Sequence, residues 1–150
     1  SIRFSENEVR PIGRTGRGVR GIRLKEDDHV VGACVVEPGT AILTVTDKGY
    51  GKRTELSEYP VQGRGGMGVI TIKCNEKIGS VIGVEQVTTN DQVLVITSDG
   101  NIVRMRVDEI SIIGRNTQGV RVVGLKDDNR VVCIEKLMEE SDTIKPDGTP

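Results

Sequence analysis

Gly13-Arg14-Thr15-Gly16-Arg17-Gly18-Val19 is answered by Gly63-Arg64-Gly65-Gly66-Met67-Gly68-Val69 and again by Gly114-Arg115-Asn116-Thr117-Gln118-Gly119-Val120. Each stretch opens with Gly-Arg and closes with Gly-Val, and the three recur about 50 residues apart. A fixed period of that length means that one supersecondary unit is copied along a stack or around an axis. Function is then read per repeat: whatever Arg14 does, Arg64 and Arg115 are placed to do also.

The repeat extends outward from this mark. Thr46-Asp47-Lys48-Gly49 answers Thr97-Ser98-Asp99-Gly100, each between apolar runs, which is the pattern of a tight hairpin turn. A basic strand follows each turn, Tyr50-Gly51-Lys52-Arg53-Thr54 and Ile102-Val103-Arg104-Met105-Arg106, with Ile2-Arg3-Phe4 as the truncated counterpart. Arg3, Arg53 and Arg104 therefore share a register. Past the mark, Lys25-Glu26-Asp27-Asp28-His29-Val30-Val31 answers Lys126-Asp127-Asp128-Asn129-Arg130-Val131-Val132.

The runs at 30–36, 41–45, 81–87, 93–96 and 131–134 are short, β-branched and bounded by Gly, Asp and Asn, so they read as strands. No segment carries a 3.6-residue apolar stripe. One period holds about four strands. The expected fold class is all-β: a β-pinwheel or propeller-like partial ring of roughly three blades, each of about four antiparallel strands. Ile22, Ile72 and Val123 align, as do Leu24, Cys74 and Leu125, and both sets are expected to face the core. The glycines of the mark are expected to take positive φ in a loop that holds its Arg outward. The Trp-Asp pair of WD repeats and the aromatic signals of kelch repeats are missing.

At 150 residues the chain is long enough for one domain with a real core. Ser1 falls inside a repeat, so the sequence reads as a piece of a longer protein. It shows no signal peptide and no apolar run long enough to span a bilayer. Cys34, Cys74 and Cys133 lie in apolar runs without C-x-x-C spacing and read as reduced core residues of a cytosolic protein. With Phe4, Tyr50 and Tyr59 as its only aromatics, the chain lacks the stacking platforms of single-strand binders. Net charge is −1, unevenly spread: residues 139–150 carry −3, leaving +2 over 1–138. The reading is a pinwheel body, 1–138, and an acidic flexible tail, 139–150, which either solubilises the chain or competes with an anionic ligand.

Catalysis finds little support. His29 is the single histidine, and it sits in an acidic turn. No Ser or Cys nucleophile pairs with it, and the Gly65-Gly66-Met67-Gly68 cluster lacks the strand–helix setting of a nucleotide loop. Asp27-Asp28 and Asp127-Asp128 lack the spaced oxygens of a calcium loop. No catalytic, cofactor or metal residue is assigned. The basic positions are the better candidates. Arg14, Arg17, Arg20 and Arg23 crowd the first loop; Lys52, Arg53, Arg64 and Lys73 mark the second unit; Arg104, Arg106, Arg115 and Arg121 mark the third. Arginines repeated at equal steps on glycine loops form a track of phosphate-binding forks suited to duplex DNA. The competing reading is that exposed Arg merely solubilises a β-rich surface.

At these residues the chain resembles the C-terminal domain family of bacterial DNA gyrase A, over nearly all of 1–138. The most specific stretches are Gly49-Tyr50-Gly51-Lys52-Arg53-Thr54 with Glu58-Tyr59-Pro60, and Glu109-Ile110-Ser111-Ile112-Ile113-Gly114-Arg115-Asn116-Thr117-Gln118-Gly119-Val120. They are similar to the later blades of that domain; topoisomerase IV is a weaker match. The resemblance implies a six-bladed β-pinwheel whose blades exchange strands, this chain being roughly half. It implies sequence-independent wrapping of double-stranded DNA on a basic perimeter, in a cytoplasmic heterotetramer of gyrase A and gyrase B that introduces negative supercoils. The cleavage tyrosine and the ATP and Mg2+ sites would lie elsewhere in that complex, so this piece would not itself be an enzyme.

The family's box, Gln-Arg-Arg-Gly-Gly-Lys-Gly, is met here by Gln62-Gly63-Arg64-Gly65-Gly66-Met67-Gly68, with Gly63 and Met67 in place of an Arg and the Lys. The true box is expected upstream, in the first blade. The expected DNA contacts are Arg14, Arg64 and Arg115 from their loops, Arg53 and Arg104 along the rim, and Arg17, Arg20, Lys52 and Arg121 broadening the track. The alternative is a propeller-like protein-interaction module without DNA contact, favoured by the near-neutral total charge.

Overall fold

The computed structural model describes residues 1–137; the expected acidic tail lies outside the described residues. Seven strands form: β1 (Ala41–Thr46), β2 (Tyr50–Glu55), β3 (Val81–Val87), β4 (Gln92–Thr97), β5 (Ile102–Arg106), β6 (Val120–Arg121) and β7 (Val131–Leu137). Three short 3-10 turns, Glu6–Glu8, Leu56–Glu58 and Val107–Glu109, recur with the same period and are the only helical segments described. The class is all-β, as the sequence indicates.

Both hairpins form where Asp-x-Gly and Asp-Gly predict them. Gly49 N–H donates to Thr46 O at 3.0 Å and Gly100 N–H to Thr97 O at 3.0 Å. The glycines take φ of 82° and 85°, a region that costs an L-residue a Cβ clash. Each hairpin then recruits a strand from one unit further on. β1 pairs antiparallel with β2 and β3, and β4 with β5 and β7. Both long pairings slip at equivalent positions, between Val45 and Thr46 and between Ile96 and Thr97. β6 closes the first sheet on β2, giving the order β3-β1-β2-β6 beside β5-β4-β7. A sheet is thus assembled from several places in the sequence, and neighbouring units are laced together.

One core serves both sheets. Leu43, Val45, Val87, Val93, Val95, Val107, Ile110, Val123, Val131 and Ile134 are buried in a single cluster, and a smaller cluster gathers Ile42, Leu56 and Tyr59. Ile72 and Val123 face inward as the repeat alignment predicts, with Ile22 half-buried. The companion set divides: Leu125 is half-buried and packs against the core, whereas Leu24 and Cys74 are exposed. Only Val120–Arg121 is regular after a mark, so strand alternation does not carry through to those positions. The cysteines are free, but Cys34 and Cys74 are exposed and Cys133 half-buried, which corrects their reading as core residues.

The run at 30–36 forms no strand, and Val30, Val31 and Val35 are exposed. Its counterparts differ in having partners: β3 pairs with β1 and β7 with β4, whereas no described strand pairs with the run at 30–36. A strand has unpaired backbone groups without a neighbour, so propensity alone does not fix it. Two sheets therefore stand where roughly three blades are expected, with the first unit present as chain laid against the second.

Candidate nucleic-acid interface

The third mark lies against the 3-10 turn of the hairpin before it. Arg115 N–H donates to Glu58 Oε2 at 2.7 Å, its Nε donates to Glu58 O at 3.0 Å, and its Nη1 donates to Ile70 O at 2.8 Å. The second mark repeats the arrangement one period earlier. Arg64 N–H reaches Glu8 Oε2 at 2.9 Å, its Nε reaches Glu8 O at 3.1 Å, and its Nη1 reaches Arg20 O at 2.6 Å. The planar guanidinium suits this task because its fixed fork meets two carbonyls at once. Gly119 completes the seat at φ 78°, where a Cβ would stand 2.7 Å from Gly51 O. Arg64 and Arg115 thus staple each mark to the preceding unit, and much of their donor capacity faces protein.

Arg53, expected along the rim, and Lys52, expected to broaden the track, are inside. Successive β2 side chains point to opposite faces, and the following unit covers both. Lys52 is 0% exposed, and its Nζ donates to Gly114 O and Arg115 O at 2.6 Å each and to Thr117 Oγ1 at 2.9 Å. Burial pushes this amine down to about 8, against the pull of Glu58 and with a smaller push from Arg115. Arg53 is 6% exposed and donates from Nε to Ile110 O at 2.6 Å. Arg3, its counterpart, donates to Leu56 O at 3.2 Å and Tyr59 O at 3.0 Å. These cations satisfy carbonyls between units, which corrects their placement on an exposed track. One comparison in the sequence marks Lys52, which aligns with Ile2 and Val103, apolar at both other copies; Arg53 aligns with Arg3 and Arg104 and carries no such signal.

Other basic side chains are exposed but partnered. Arg104 Nε donates to Gln92 Oε1 at 2.5 Å, Arg106 pairs with Asp108, and Arg130 pairs with Asp47 at 2.9 Å. Arg121 lies over the Tyr50 ring, 5.6 Å from its centroid, and donates from Nη2 to the phenol oxygen at 3.3 Å. That contact holds the Tyr50 hydroxyl below its ordinary range.

The first mark differs. Arg10, Arg14, Arg17, Arg20, Arg23 and Lys25 are all exposed, no acidic residue interrupts residues 9–25, and none of these six side chains makes a hydrogen bond or ion pair with a described residue. Like charges crowded without counter-ions raise the local positive potential and leave every fork open to an outside anion. The aligned stretch 60–75 offers only Arg64 and Lys73. The cationic surface is therefore concentrated on one unit rather than spread evenly over three.

No described helix is long and apolar enough to cross a membrane. The family model for the DNA gyrase C-terminal domain, beta-propeller, matches residues 1–37, 40–88 and 91–133, three segments that follow the repeat. The DNA gyrase A protein of Salmonella typhimurium is 50% identical over 147 residues, 98% of this chain and 17% of that protein. Its Escherichia coli counterpart is 49% identical over 141 residues, 94% of this chain and 16% of that protein. This chain therefore spans about a sixth of the length of those relatives. Among solved structures, a DNA gyrase A C-terminal domain superposes with a TM-score of 0.83 at 30% identity, covering 90% of this chain and 46% of that one. The C-terminal domain of DNA topoisomerase IV gives 0.82 at 25% identity, covering 89% of this chain and 42% of that one. A repeat read from its Gly-Arg marks, folded into laced antiparallel sheets and matched unit by unit, makes this chain a member of the DNA gyrase C-terminal domain family.

Proposed function

We propose that this chain is a duplex-DNA-binding module that grips phosphates without reading sequence, and that it serves the wrapping of DNA by a gyrase-type topoisomerase. The observation that carries this reading is the run of six exposed cations across residues 10–25, free of acidic residues and without a hydrogen-bond or ion-pair partner among the described residues. Such a surface neutralises phosphates, releases counter-ions and positions the duplex. Arg14, Arg17 and Arg20 make the main contacts, with Arg104 and Arg121 as exposed secondary ones. Arg64 and Arg115 act first as staples that hold the units in step. Strand passage and ATP hydrolysis belong to other parts of the assembly, with gyrase B and the remainder of gyrase A as partners.

The test is binding to a long labelled duplex across a salt series. Affinity should fall by about 0.9 log unit per log unit of salt for each phosphate neutralised. Replacing Arg14, Arg17 and Arg20 together by Ala should flatten that slope by nearly three such steps, with the unfolding midpoint unchanged. Wild-type chain that ignores duplex even at low salt would remove the reading and favour a protein-facing surface.

A further inference from the structure

β2 and β6 bring a residue of one unit against a residue of the next. Tyr50 opens β2 directly after the hairpin glycine, and Arg121 ends β6. The two are register partners in an antiparallel pair, so their side chains share one face. The backbone beneath them is fixed: Val122 N–H and Val123 N–H donate to Gly49 O at 2.8 Å and 3.1 Å. The Arg121 guanidinium lies over the phenol ring, 5.6 Å from its centroid, and its Nη2 donates to the hydroxyl oxygen at 3.3 Å. The ring thus orients the fork before any ligand arrives.

Neither group is used up by the other. Tyr50 accepts with its oxygen and keeps its own O–H, which donates to none of the described residues. Arg121 gives one N–H to the phenol and holds the rest of its fork free of the described residues. Arg106 and Arg130 are neutralised by Asp108 and Asp47, whereas the partner of Arg121 is uncharged and leaves its positive charge uncompensated. The hydrogen bond from Arg121 holds the phenol below its ordinary range, and the positive charges of Arg121 and Lys77 act in the same direction. A hydroxyl polarised in this way is a stronger donor to an anion.

We infer that Tyr50 and Arg121 form a clamp for one phosphodiester group of duplex DNA, the Tyr50 O–H donating to one non-bridging oxygen and the free N–H groups of Arg121 to the other. The clamp presupposes the duplex binding proposed above and adds to it a contact remote in sequence from residues 10–25. Its two halves do different work. The guanidinium neutralises the phosphate and releases a counter-ion, whereas the hydroxyl positions the phosphate and releases none. Because Tyr50 precedes the third mark and Arg121 follows it, the clamp is complete only while that mark is docked on β2.

Binding of the 150-residue chain to a long labelled duplex across a salt series tests this. Tyr50→Phe keeps the ring under the guanidinium and removes only the hydroxyl. Affinity should fall about fivefold at every salt concentration with the slope unchanged. Arg121→Gln removes the charge and should lower the slope by about 0.9. In the Arg121→Gln background, Tyr50→Phe should cost less than about twofold, since the hydroxyl is no longer polarised. The phenol gives a second readout. With tyrosine labelled with 13C at Cζ, the Tyr50 signal, assigned by its loss in Tyr50→Phe, should move when duplex is added, and that of buried Tyr59 should not. Wild type that binds duplex with a still Tyr50 signal, or with Tyr50→Phe binding as tightly, would overturn the clamp alone, as would a Tyr50→Phe loss that persists in full beside Arg121→Gln. Wild type that ignores duplex would overturn the clamp together with the function it serves.

Discussion

The first and third Gly-Arg marks share their end residues and the left-handed conformation of their last glycine, yet they do opposite things with their arginine. Gly18 and Gly119 sit at φ 74° and 78°. Arg115 is tied to Glu58 and Ile70, while Arg14 touches none of the described residues by hydrogen bond. Among the described residues, the turn Leu56–Glu58 lies under the third mark and no such turn lies under the first. A repeated residue therefore has two available roles, inter-unit staple and surface cation, and what selects between them is the neighbour. Under the function proposed above, the DNA contacts fall on forks that hold no carbonyl, because one that does has little left for phosphate.

The largest effect should come from breaking the seat itself. Gly119→Ala forces an L-residue into the left-handed region, at roughly 1–2 kcal/mol. It also drives a Cβ to within 2.7 Å of Gly51 O, where backbone must move. A loss of about 3 kcal/mol is expected in urea unfolding. Gly18→Ala carries the conformational term alone, because nothing lies within 4 Å of its Cβ, and should cost about 1 kcal/mol. Equal losses at the two sites would mean that the seat contributes nothing beyond backbone strain.

Lys52 sharpens the comparison from the other side of the seat. Lys52→Met leaves Arg115 O without its donor, while Gly114 O keeps the Thr117 hydroxyl. A buried acceptor without a partner costs about 1–3 kcal/mol, so a loss near 2 kcal/mol is expected. The pH dependence follows from the amine's fall from 10.5 to about 8. Between those values the unfolded chain holds the proton and the folded chain has released it, so this group's contribution to stability rises with pH across that window. Below about pH 8 the amine is charged in both states and its burial penalty is present in full. Urea midpoints of wild type and Lys52→Met, compared at about pH 7 and pH 10, should show wild type gaining on the variant at the higher pH. Parallel profiles would mean that the amine titrates as though in water.

The hairpins and the period were legible because turn chemistry is local: Asp-x-Gly and Asp-Gly between β-branched runs admit few other conformations. The run at 30–36 shows the limit of such reading. It has the composition of β3 and β7 but not their partner, and strand formation depends on pairing across distant sequence. The cationic site divides in the same manner. The acid-free stretch 9–25 was visible as a charge pattern, and it stays exposed. Charge alone points Lys52 and Arg53 toward solvent, whereas their ligands, the carbonyls of Ile110, Gly114 and Arg115, lie about 60 residues onward and have no side-chain signature. Aligning Lys52 with Ile2 and Val103 would have marked its side of the strand as inward.

The smallest effects offer the sharpest discrimination, because they cross. Arg115→Ala removes two bonds to carbonyls but leaves the backbone N–H on Glu58, so about 1–1.5 kcal/mol of stability should be lost. Its exposed neighbours still face the duplex, and the salt slope of binding should barely change. Arg14→Ala should leave stability within about 0.5 kcal/mol, as for an exposed residue that touches nothing, and lower the slope by about 0.9. Thermal melts and salt-series binding on the same two proteins give all four values. If Arg115→Ala flattens the slope while Arg14→Ala does not, the staples are the phosphate contacts and the free stretch is a bystander. The crossed pattern would instead show that the repeat has divided its arginines between holding the protein and holding the DNA, according to what lies beneath each mark.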